Sequence, residues 1–481
     1  MLVIVLIVCG MTVLGITRYL DDRHAEQAAA AALFTVAANE PKEDDMEGTI
    51  PVVPRSGTSS IKDRGDMNEL PGNDTTADTD EQEEEEEEQQ NDEEQKADTS
   101  DVVAVVAYAV SITGCGDDPL LDGAAVLKRS IELASYHGQT GNNRRRYGSK
   151  MYAIVHPSAE SCGRELESVG YEVLVRDTFV RVEDIEGDFL REKIETNGCC
   201  GEKELIKLEA FTMTDHPIVV HMDLDTIVLK PFDDVFDLML GHAPDRPEQP
   251  QSDVTRPKGH GVAVMWNELA IPDRIDAFFT RDYNMAHPSM RYKPVQGGLL
   301  VLRPSLDTYE EFRRIIQKGD FREGRGWGGK VGPFYGSMTF QGIVPYYYDV
   351  LHPESAVELN RCIYNQMCDN PRDEPTIDDV VHGKCKTGEA DCEDCRSLPL
   401  EEVHTAHFTL CQKPWNCVPN DGDRIQERLC RKLHHEWFRV RSDLEASWGR
   451  TAIGSGSYQS DHFFGFCDSG FSTNYQRIVP P

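Results

Sequence analysis

The pattern of apolar and polar residues divides the chain into a short apolar segment, a long polar segment and a region of alternating strands and helices. Residues 2–17 carry no charge, and Arg18 ends this run. From residue 102 onward, apolar runs of strand length alternate with stretches whose apolar residues recur at helical spacing. This alternation predicts an α/β fold with a mostly parallel central sheet and right-handed crossover connections.

The individual strands and helices are predicted from these apolar runs and stripes. The predicted strands are residues 102–110, 150–155, 171–175, 218–222 and 298–302. The predicted helices are residues 124–135, 160–169, 202–214 and 306–317, with an aromatic-rich helix near 341–348. Residues 370–400 and 445–481 are predicted to be loops. We therefore assign residues 101–440 to one large domain and residues 441–481 to a C-terminal extension.

The apolar N-terminal segment, residues 1–18, is predicted to be a membrane signal anchor. Sixteen uncharged residues rise about 24 Å as a helix, close to the roughly 30 Å thickness of a hydrocarbon core. The run also fits the apolar core of a cleaved signal peptide, and both interpretations direct the chain into the secretory pathway. We expect a single-pass type II protein of the Golgi or another secretory-pathway membrane, held there by its N-terminal helix, with the large domain in the lumen.

Residues 19–100 are predicted to form a disordered acidic stalk. Residues 1–101 hold 26 acidic and 7 basic residues, and residues 83–88 are all glutamate. A segment this polar and this poor in aromatic residues buries too little apolar surface to offset its chain entropy.

Charge and glycine patterns exclude some classes of partner. The formal net charge of the chain is -35, which argues against nucleic acid, because phosphate backbones need basic counter-charges. Neither GxGxxG after the first strand nor GxxxxGK[ST] occurs in the sequence. Dinucleotide-binding enzymes of the Rossmann type and P-loop NTPases are therefore disfavoured.

Cysteine usage agrees with a secretory destination. The chain has 14 cysteines, of which nine fall in residues 362–467. This density predicts disulfides, although the pairing cannot be read from the sequence. Cys392 and Cys395, together with Cys385, also fit part of a zinc site. Thirteen cysteines lie beyond the apolar segment, and because this number is odd we expect at least one free or intermolecular thiol.

The chemistry of the chain centres on Asp223 and Asp225, which directly follow the predicted strand 218–222. Ligands of open α/β sheets bind at the carboxyl ends of strands, and carboxylate oxygens suit Mg²⁺ or Mn²⁺. One interpretation is a nucleotide-sugar glycosyltransferase, in which a metal bridges the carboxylates and the donor diphosphate.

Two other interpretations of the acidic pair stay open at this point. The sequence DLDTI from Asp223 also resembles the DxDx[TV] signature of phosphotransfer hydrolases of the haloacid dehalogenase type, with Ile227 at the last position. There the first aspartate is the nucleophile and the second is a general acid. The pair can also be an acidic loop that caps a helix and has no catalytic role.

Three further segments distinguish between these interpretations. Lys207 lies in the sequence ELIKL before the acidic pair, and Gln296 begins QGGLLV after it. His407 begins the sequence HFTLCQKPW, which includes Lys413. Together these motifs resemble glycosyltransferase family 8, the glycogenin-like group of retaining enzymes, over about residues 105–417. The resemblance implies a GT-A type fold, and a hydrolase of the dehalogenase type needs no such C-terminal motif.

The resemblance also implies a role for each matched residue. Asp223 and Asp225 would hold Mn²⁺ with His407 as the third protein ligand. Lys413 would contact the donor diphosphate, and Gln341 would lie near the reacting sugar carbon. The implied donor-binding residues are Lys413, Lys207, Gln296, Gly297 and Leu224, and the implied catalytic residues are Gln341 and Lys207. Asn365 matches a late Tyr-Asn pair of the family.

Three positions depart from the family pattern. Phe340 replaces an acidic residue before Gln-Gly, Leu410 replaces a glycine near the diphosphate, and Leu120 replaces a tyrosine that stacks on uracil. The resemblance predicts a retaining, Mn²⁺-dependent glycosyltransferase that moves a sugar from a UDP-sugar to a glycan or glycolipid acceptor. The remaining alternatives are a phosphotransfer hydrolase of the haloacid dehalogenase type and a catalytically silent, glycosyltransferase-like acidic membrane protein.

Overall fold

The structure of the protein is a computed structural model. It describes residues 103–116, 118–137, 146–241, 272–369, 385–387, 392–417, 425–450, 463–467 and 475–481. The predicted anchor, residues 1–18, and the predicted stalk, residues 19–100, lie outside the described residues. Within the described ranges, no helix combines the length and the apolar character needed to cross a membrane.

A seven-stranded sheet forms the centre of the described part, flanked by two small two-stranded sheets. The strands are β1 Ala104–Ile112, β2 Tyr147–Val155, β3 Glu172–Val175, β4 Val219–Met222, β5 Thr226–Val228, β6 Ala277–Arg281, β7 Val295–Leu302, β8 Phe321–Arg322, β9 Gly326–Trp327, β10 Ala356–Glu358 and β11 Thr405–His407. In the large sheet their order is β10-β6-β7-β4-β1-β2-β3. All its neighbouring strands are parallel except β7, which runs antiparallel to β4 and β6. The predicted α/β fold with a mostly parallel central sheet is confirmed.

The helices surround this sheet. They are α1 Leu120–His137, α2 Glu160–Gly163, α3 Asp188–Lys193, α4 Asp233–Leu240, α5 Leu306–Lys318, α6 Phe340–Pro345, α7 Arg361–Tyr364 and α8 Ile425–Ser447. The helix predicted at 202–214 is the 3-10 helix Gly201–Thr212, here called the Lys207 helix. A π-helical turn, Tyr346–Leu351, continues α6. The sequence pattern missed α8, which has 23 residues and includes part of the predicted loop 445–481.

Apolar side chains cover both faces of the sheet, and β1 shows how the sequence divides them. Val106 and Val110 belong to the layer that includes α1 and α8, whereas Ala107 and Ala109 belong to the layer that includes the Lys207 helix. This alternation is the period of two of a strand buried on both faces. The predicted helical stripe of Leu205, Leu208 and Phe211 is fully buried in the second layer.

The central strand β4 and the small sheet beside it position the acidic pair. Asp223 follows β4 directly, and its backbone N–H donates to the carbonyl of Gly298 on β7 at 3.2 Å. After a short turn the chain enters β5, which pairs antiparallel with β11 so that Thr226 lies opposite His407. This pairing brings together the acidic pair and a histidine that is distant along the chain.

Five disulfides confirm the prediction made from cysteine density. They join Cys115 to Cys162, Cys362 to Cys395, Cys385 to Cys392, Cys411 to Cys430 and Cys417 to Cys467. The zinc alternative is wrong, because its three cysteines are oxidised in two of these disulfides and offer no thiolate to a metal. Of the cysteines in the described ranges, Cys199, Cys200 and Cys368 are free.

Candidate active site

Asp223, Asp225 and His407 meet at the carboxyl end of β4. The Nε2 atom of His407 lies 3.2 Å from Oδ1 of Asp225 and 3.8 Å from Oδ2 of Asp223. One ligand atom from each residue lies within 4.8 Å of the others. His407 and Asp225 are buried, while Asp223 is partly exposed and borders solvent. The sequence-predicted metal ligands are therefore neighbours in the fold.

The chemistry of these three side chains fits a divalent cation. Two carboxylates and one imidazole form an oxygen-rich donor set with one nitrogen ligand, which Mn²⁺ accepts more readily than Mg²⁺. The other ring nitrogen of His407, Nδ1, is buried and has no hydrogen-bond partner among the described residues. A Cβ on Gly298 would lie 2.4 Å from this nitrogen, so the glycine leaves room for the ring. These residues can hold a metal ion.

Two lysines balance the charge of the carboxylates. Lys413 donates a hydrogen bond to Oδ2 of Asp225, and Lys207 donates to Oδ1 of Asp223 at 2.9 Å. Burial alone would raise the pKa of Asp225, but His407 and Lys413 outweigh it and hold the pKa below its ordinary range. Asp225 is therefore ionised at every physiological pH.

Lys207 is buried, and its surroundings keep it charged. Its ammonium group donates to the carbonyl of Gly297 at 3.1 Å in addition to Asp223. Burial would lower the pKa of Lys207, but the carboxylates of Asp223 and Glu204 outweigh it and raise the pKa above its ordinary value. A Cβ on Gly297 would lie 3.2 Å from Nζ, so a glycine at this position lets the lysine approach β7.

Gln296 lies next to Gly297 and is buried in a polar network of its own. Its Oε1 accepts hydrogen bonds from the backbone N–H of Gly298 and, at 3.2 Å, from Nδ2 of Asn365. Asn365 also donates to Oγ1 of Thr280 at 2.8 Å. The side-chain oxygen of Gln296 thus fixes the start of β7 within the protein.

Gln341 lies at the start of α6, beside the Lys207 helix. The preceding residue, Phe340, is fully buried, and its ring centroid lies 5.5 Å from Nζ of Lys207. Gln341 is buried against Gly336, where a Cβ would lie 2.2 Å from Oε1 of Gln341. The two residues implied to be catalytic therefore belong to adjoining elements.

Leu224 and the departing positions have different surroundings. Leu224 packs with its backbone against α1, because a Cβ on Gly123 would lie 2.6 Å from the Leu224 carbonyl oxygen. Leu120 begins α1 and is partly buried against the core, and Leu410 is 44% exposed. Of the three departing positions only Phe340 is buried beside Lys207.

Glu204 is a site residue that sequence reasoning passed over. Its Oε1 lies 3.9 Å from Nζ of Lys207, and its Oε2 accepts a hydrogen bond from Oγ1 of Thr339. Burial raises the pKa of Glu204, and Lys207 and Thr339 offset part of this effect. The sequence could have indicated this contact, because Glu204 and Lys207 are three residues apart on one predicted helix and such residues are neighbours on its surface.

Asp282 is a second residue near the site that sequence reasoning passed over. It follows β6 as Asp223 follows β4, and it is buried. Burial and the neighbouring Asp369 raise the pKa of Asp282 to about 6, although His407 acts in the opposite direction. The rule that places ligands at strand ends applies here too, but β6 itself was not predicted from the sequence.

Comparison with known proteins finds matches among solved structures. No protein-family model and no curated protein matches the chain. The galactosyltransferase LgtC in complex with donor and acceptor sugar analogs is 12% identical, and the match covers 69% of this chain and 95% of that chain with a TM-score of 0.35. Mouse xyloside xylosyltransferase 1, apo form, is 14% identical, and the match covers 64% of this chain and 99% of that chain with a TM-score of 0.36. The glycosyltransferase GlyE of Streptococcus pneumoniae TIGR4 is 12% identical, and the match covers 74% of this chain and 67% of that chain with a TM-score of 0.33.

These three proteins are glycosyltransferases. Because their TM-scores are only 0.33 to 0.36, the argument for function rests on the site residues of this chain.

Proposed function

We propose that this chain is a retaining glycosyltransferase that uses Mn²⁺ to transfer a sugar from a UDP-sugar to a glycan or glycolipid acceptor. The observation that carries the proposal is the convergence of Asp223, Asp225 and His407 with Lys207 and Lys413 at one end of the sheet. Carboxylates and an imidazole suit a divalent cation, and ammonium groups suit phosphate oxygens. The set therefore matches the charges of a metal-bound nucleoside diphosphate.

Lys413 is suited to bind the diphosphate of the donor, because its side chain can change partner. A metal ion bound by the three ligands would supply Lewis-acid stabilisation of the departing UDP. Lys413 is half-buried, and its ammonium group lies 5.8 Å from the ring centroid of Trp415. Its flexible side chain can turn its three donors from Asp225 to a phosphate oxygen when the donor binds.

Lys207 is suited to a fixed role, because it is buried and anchored on both sides. The ammonium group is held by Asp223 and by the carbonyl of Gly297. A preorganised cation in a buried site stabilises negative charge that develops in the transition state. We assign Gln341 a place beside the reacting sugar carbon, where its amide can hydrogen-bond the donor sugar. Retention then follows a front-face route in which the leaving diphosphate stays close to the sugar.

The phosphotransfer alternative is less well supported by the site. A hydrolase of the dehalogenase type uses its second aspartate as a general acid, which must carry a proton. In this structure His407 and Lys413 hold the pKa of Asp225 below its ordinary range, so that carboxylate is ionised. The buried imidazole of His407 beside both aspartates also has no role in that chemistry.

We further propose that the enzyme works in the lumen of the Golgi or another secretory compartment, held by an anchor at residues 1–18. Five disulfides in the described residues support this, because disulfides form and persist in oxidising compartments. Carbonate extraction of cells that express the full chain should leave the protein in the membrane fraction. Release of the protein into the soluble fraction would overturn the anchor.

The enzymatic proposal is tested by the release of UDP from a panel of UDP-sugars in the presence of Mn²⁺. Asp225→Ala removes a buried metal ligand and should abolish turnover, as should chelation of the metal in the wild-type protein. A matched control is Asp443→Ala, because this partly exposed carboxylate pairs with Arg129 on the protein surface. Undiminished turnover in Asp225→Ala would overturn the metal assignment. Phosphate release from a phosphoester with Mg²⁺, with a trapped phospho-Asp223, would favour the hydrolase.

A further inference from the structure

Two adjacent cysteines, Cys199 and Cys200, stand out from the oxidised cysteines of the described ranges. Their Sγ atoms lie 2.7 Å apart, and neither belongs to one of the five disulfides. Cys199 is exposed and Cys200 is half-buried, so solutes can reach the pair. The third free thiol, Cys368, is buried and has no cysteine neighbour in sequence. Cys199 and Cys200 are thus an accessible dithiol.

The backbone presents this dithiol in a fixed frame. Gly198 and Gly201 flank the pair and have φ angles of 70° and 60°, which residues with side chains rarely adopt. A Cβ on Gly201 would lie 2.4 Å from the carbonyl oxygen of Glu195, and one on Gly198 would lie 3.3 Å from Cα of Gly336. Neighbouring backbone therefore holds both ends of the pair.

The dithiol lies at the junction of the elements that carry Lys207 and Gln341. Cys200 directly precedes the Lys207 helix. On the other side, Oδ1 of Asn197 accepts a hydrogen bond from the backbone N–H of Met338, shortly before α6, at 3.0 Å. The dithiol thus lies between the start of the Lys207 helix and a residue that contacts the segment before α6.

We propose that Cys199 and Cys200 form a reversible vicinal disulfide that tunes the binding of an anionic nucleotide donor beside Lys207. The identity of the donor rests on the proposed function. In the oxidation, the Cys200 thiolate attacks a small-molecule disulfide such as oxidised glutathione and releases one thiolate. The Cys199 thiolate then attacks the Cys200 sulfur, which closes the Cys199–Cys200 bond and releases the second thiolate. The two protons of the dithiol pass to the released thiolates.

The position of the two cysteines makes this disulfide easy to reduce. Adjacent Cα atoms are about 3.8 Å apart across a trans peptide, whereas disulfides usually join Cα atoms about 4.4–6.8 Å apart. The five other disulfides of the chain span 4.7 to 5.8 Å and fall within that range. Strained and exposed disulfides are the labile ones, so this pair can switch while the other five persist.

The thiol chemistry of the pair supports exchange at neutral pH. Close contact with Cys199 lowers the pKa of Cys200 to about 7 against the effect of burial, with a hydrogen bond from Thr113 in the same direction. The same contact raises the pKa of Cys199 well above its ordinary value, so Cys200 is the thiol that attacks first. A thiol whose pKa is near the ambient pH is the best placed to attack a disulfide.

Oxidation changes the charge beside the donor site. The pair lies close to the charged group assigned to the donor. A Cβ on the neighbouring Gly198 would lie 3.4 Å from Oε2 of Glu204, and Oε1 of Glu204 lies 3.9 Å from Nζ of Lys207. A disulfide carries no charge, whereas the dithiol carries part of a negative charge at neutral pH. Because UDP-sugars are anionic, the oxidised form should bind them several-fold more tightly than the reduced form.

Formation of the disulfide is tested on the full chain equilibrated in buffers of different glutathione redox ratio. After alkylation, peptide mass spectrometry should find Cys199 and Cys200 joined, with the loss of two hydrogens, in oxidising buffers and alkylated in reducing ones. Phenylarsine oxide, which bridges two close thiols, should bind the reduced wild-type protein and Cys368→Ser but neither Cys199→Ser nor Cys200→Ser. Two alkylated thiols at every ratio would overturn the proposal.

The effect on the donor site is tested by calorimetry with UDP and Mn²⁺ in the same buffers. The Kd of the wild-type protein should be several-fold lower after oxidation, while the double variant Cys199→Ser/Cys200→Ser should give one Kd in both buffers. Equal Kd values for the two forms of the wild-type protein would overturn this inference and leave the proposed function standing. No binding of UDP by either form would overturn both.

Discussion

Lys207 is the residue on which the charge balance of the candidate site depends most. Its buried ammonium group lies 2.9 Å from Asp223 and 3.9 Å from Glu204. Removal of one partner from a buried ion pair leaves the other charge desolvated and uncompensated. We therefore expect Lys207→Met to lower the free energy of unfolding by roughly 3–5 kcal/mol, measured by urea denaturation.

The cause of this loss is identified by a second substitution in the same cluster. Adding Glu204→Gln to Lys207→Met removes one of the two carboxylates left without a counter-charge. The double variant should therefore recover part of the lost free energy of unfolding. The matched control is Lys128→Met, because Lys128 pairs with Glu132 near the surface and such pairs contribute about 0–1 kcal/mol. An equal loss in Lys128→Met and Lys207→Met would contradict the buried ion-pair account.

Phe340 shows why the role of a residue cannot be assigned from a family pattern without the structure. The sequence indicates only that an apolar ring replaces an acid before Gln-Gly. The structure shows this ring beside Lys207, and the Glu204 carboxylate lies near the same lysine. The position of Glu204 depends on its contact with Thr339, which no spacing in the sequence reveals.

At the scale of elements, α1 supports the turn that carries the two aspartates proposed as metal ligands. A Cβ on Gly123 would lie 2.6 Å from the carbonyl oxygen of Leu224, between Asp223 and Asp225. Alanine is favoured over glycine within a helix by about 1 kcal/mol, but contact with a backbone oxygen at this distance forces α1 and the turn apart. We expect Gly123→Ala to weaken Mn²⁺ binding, measured by calorimetry, although it improves helix propensity.

Gly114→Ala provides the comparison for this prediction. A Cβ on Gly114 meets nothing within 4 Å, so this variant should bind Mn²⁺ as the wild-type protein does. Unchanged Mn²⁺ affinity in Gly123→Ala would show that the packing of α1 on the turn does not control the metal site.

Element by element, the sequence was informative where apolar periodicity was strong. The strands β1 and β7 were predicted because burial on both faces leaves a run of apolar residues, and the Lys207 helix because burial of one face leaves an apolar stripe of helical period. The strand β11 has three residues and carries no such period, yet its pairing with β5 brings His407 to Asp225. In the sequence, only the motif that begins at His407 pointed to this contact. Disulfide pairing could not be predicted either, because it depends on tertiary packing.

At the scale of the whole molecule, the C-terminal part is built into the domain that carries the site. The helix α8 continues through the predicted boundary at residue 440. Its buried Arg441 lies over the rings of Phe466 and Tyr475, and Tyr475 donates a hydrogen bond to Asp122 of α1. The disulfides Cys411–Cys430 and Cys417–Cys467 fix the segment of Lys413 to the same part, so stability there governs the geometry of the site.

This coupling gives the whole fold a pH dependence through His434 on α8. The ring is buried between Phe408 and Phe463, and burial lowers its pKa to about 4. In the unfolded chain a histidine titrates near pH 6.5. Between these values the unfolded chain binds a proton that the folded chain lacks, so the free energy of unfolding decreases as the pH falls. One such group changes it by about 1.4 kcal/mol per pH unit, or roughly 3 kcal/mol in total.

His434→Gln should reduce this pH dependence by that amount. In the wild-type protein Nε2 of His434 donates to the carbonyl of Gln412, and a glutamine amide can also donate but does not titrate. Urea unfolding measured across this pH range should therefore give a slope lower by about 1.4 kcal/mol per pH unit in the variant. His287→Gln is the control, since His287 is exposed and should leave the slope unchanged. A wild-type slope in His434→Gln would contradict the account. Because the ring of His434 stacks on Phe408, its protonation would also disturb the segment of His407, a proposed metal ligand.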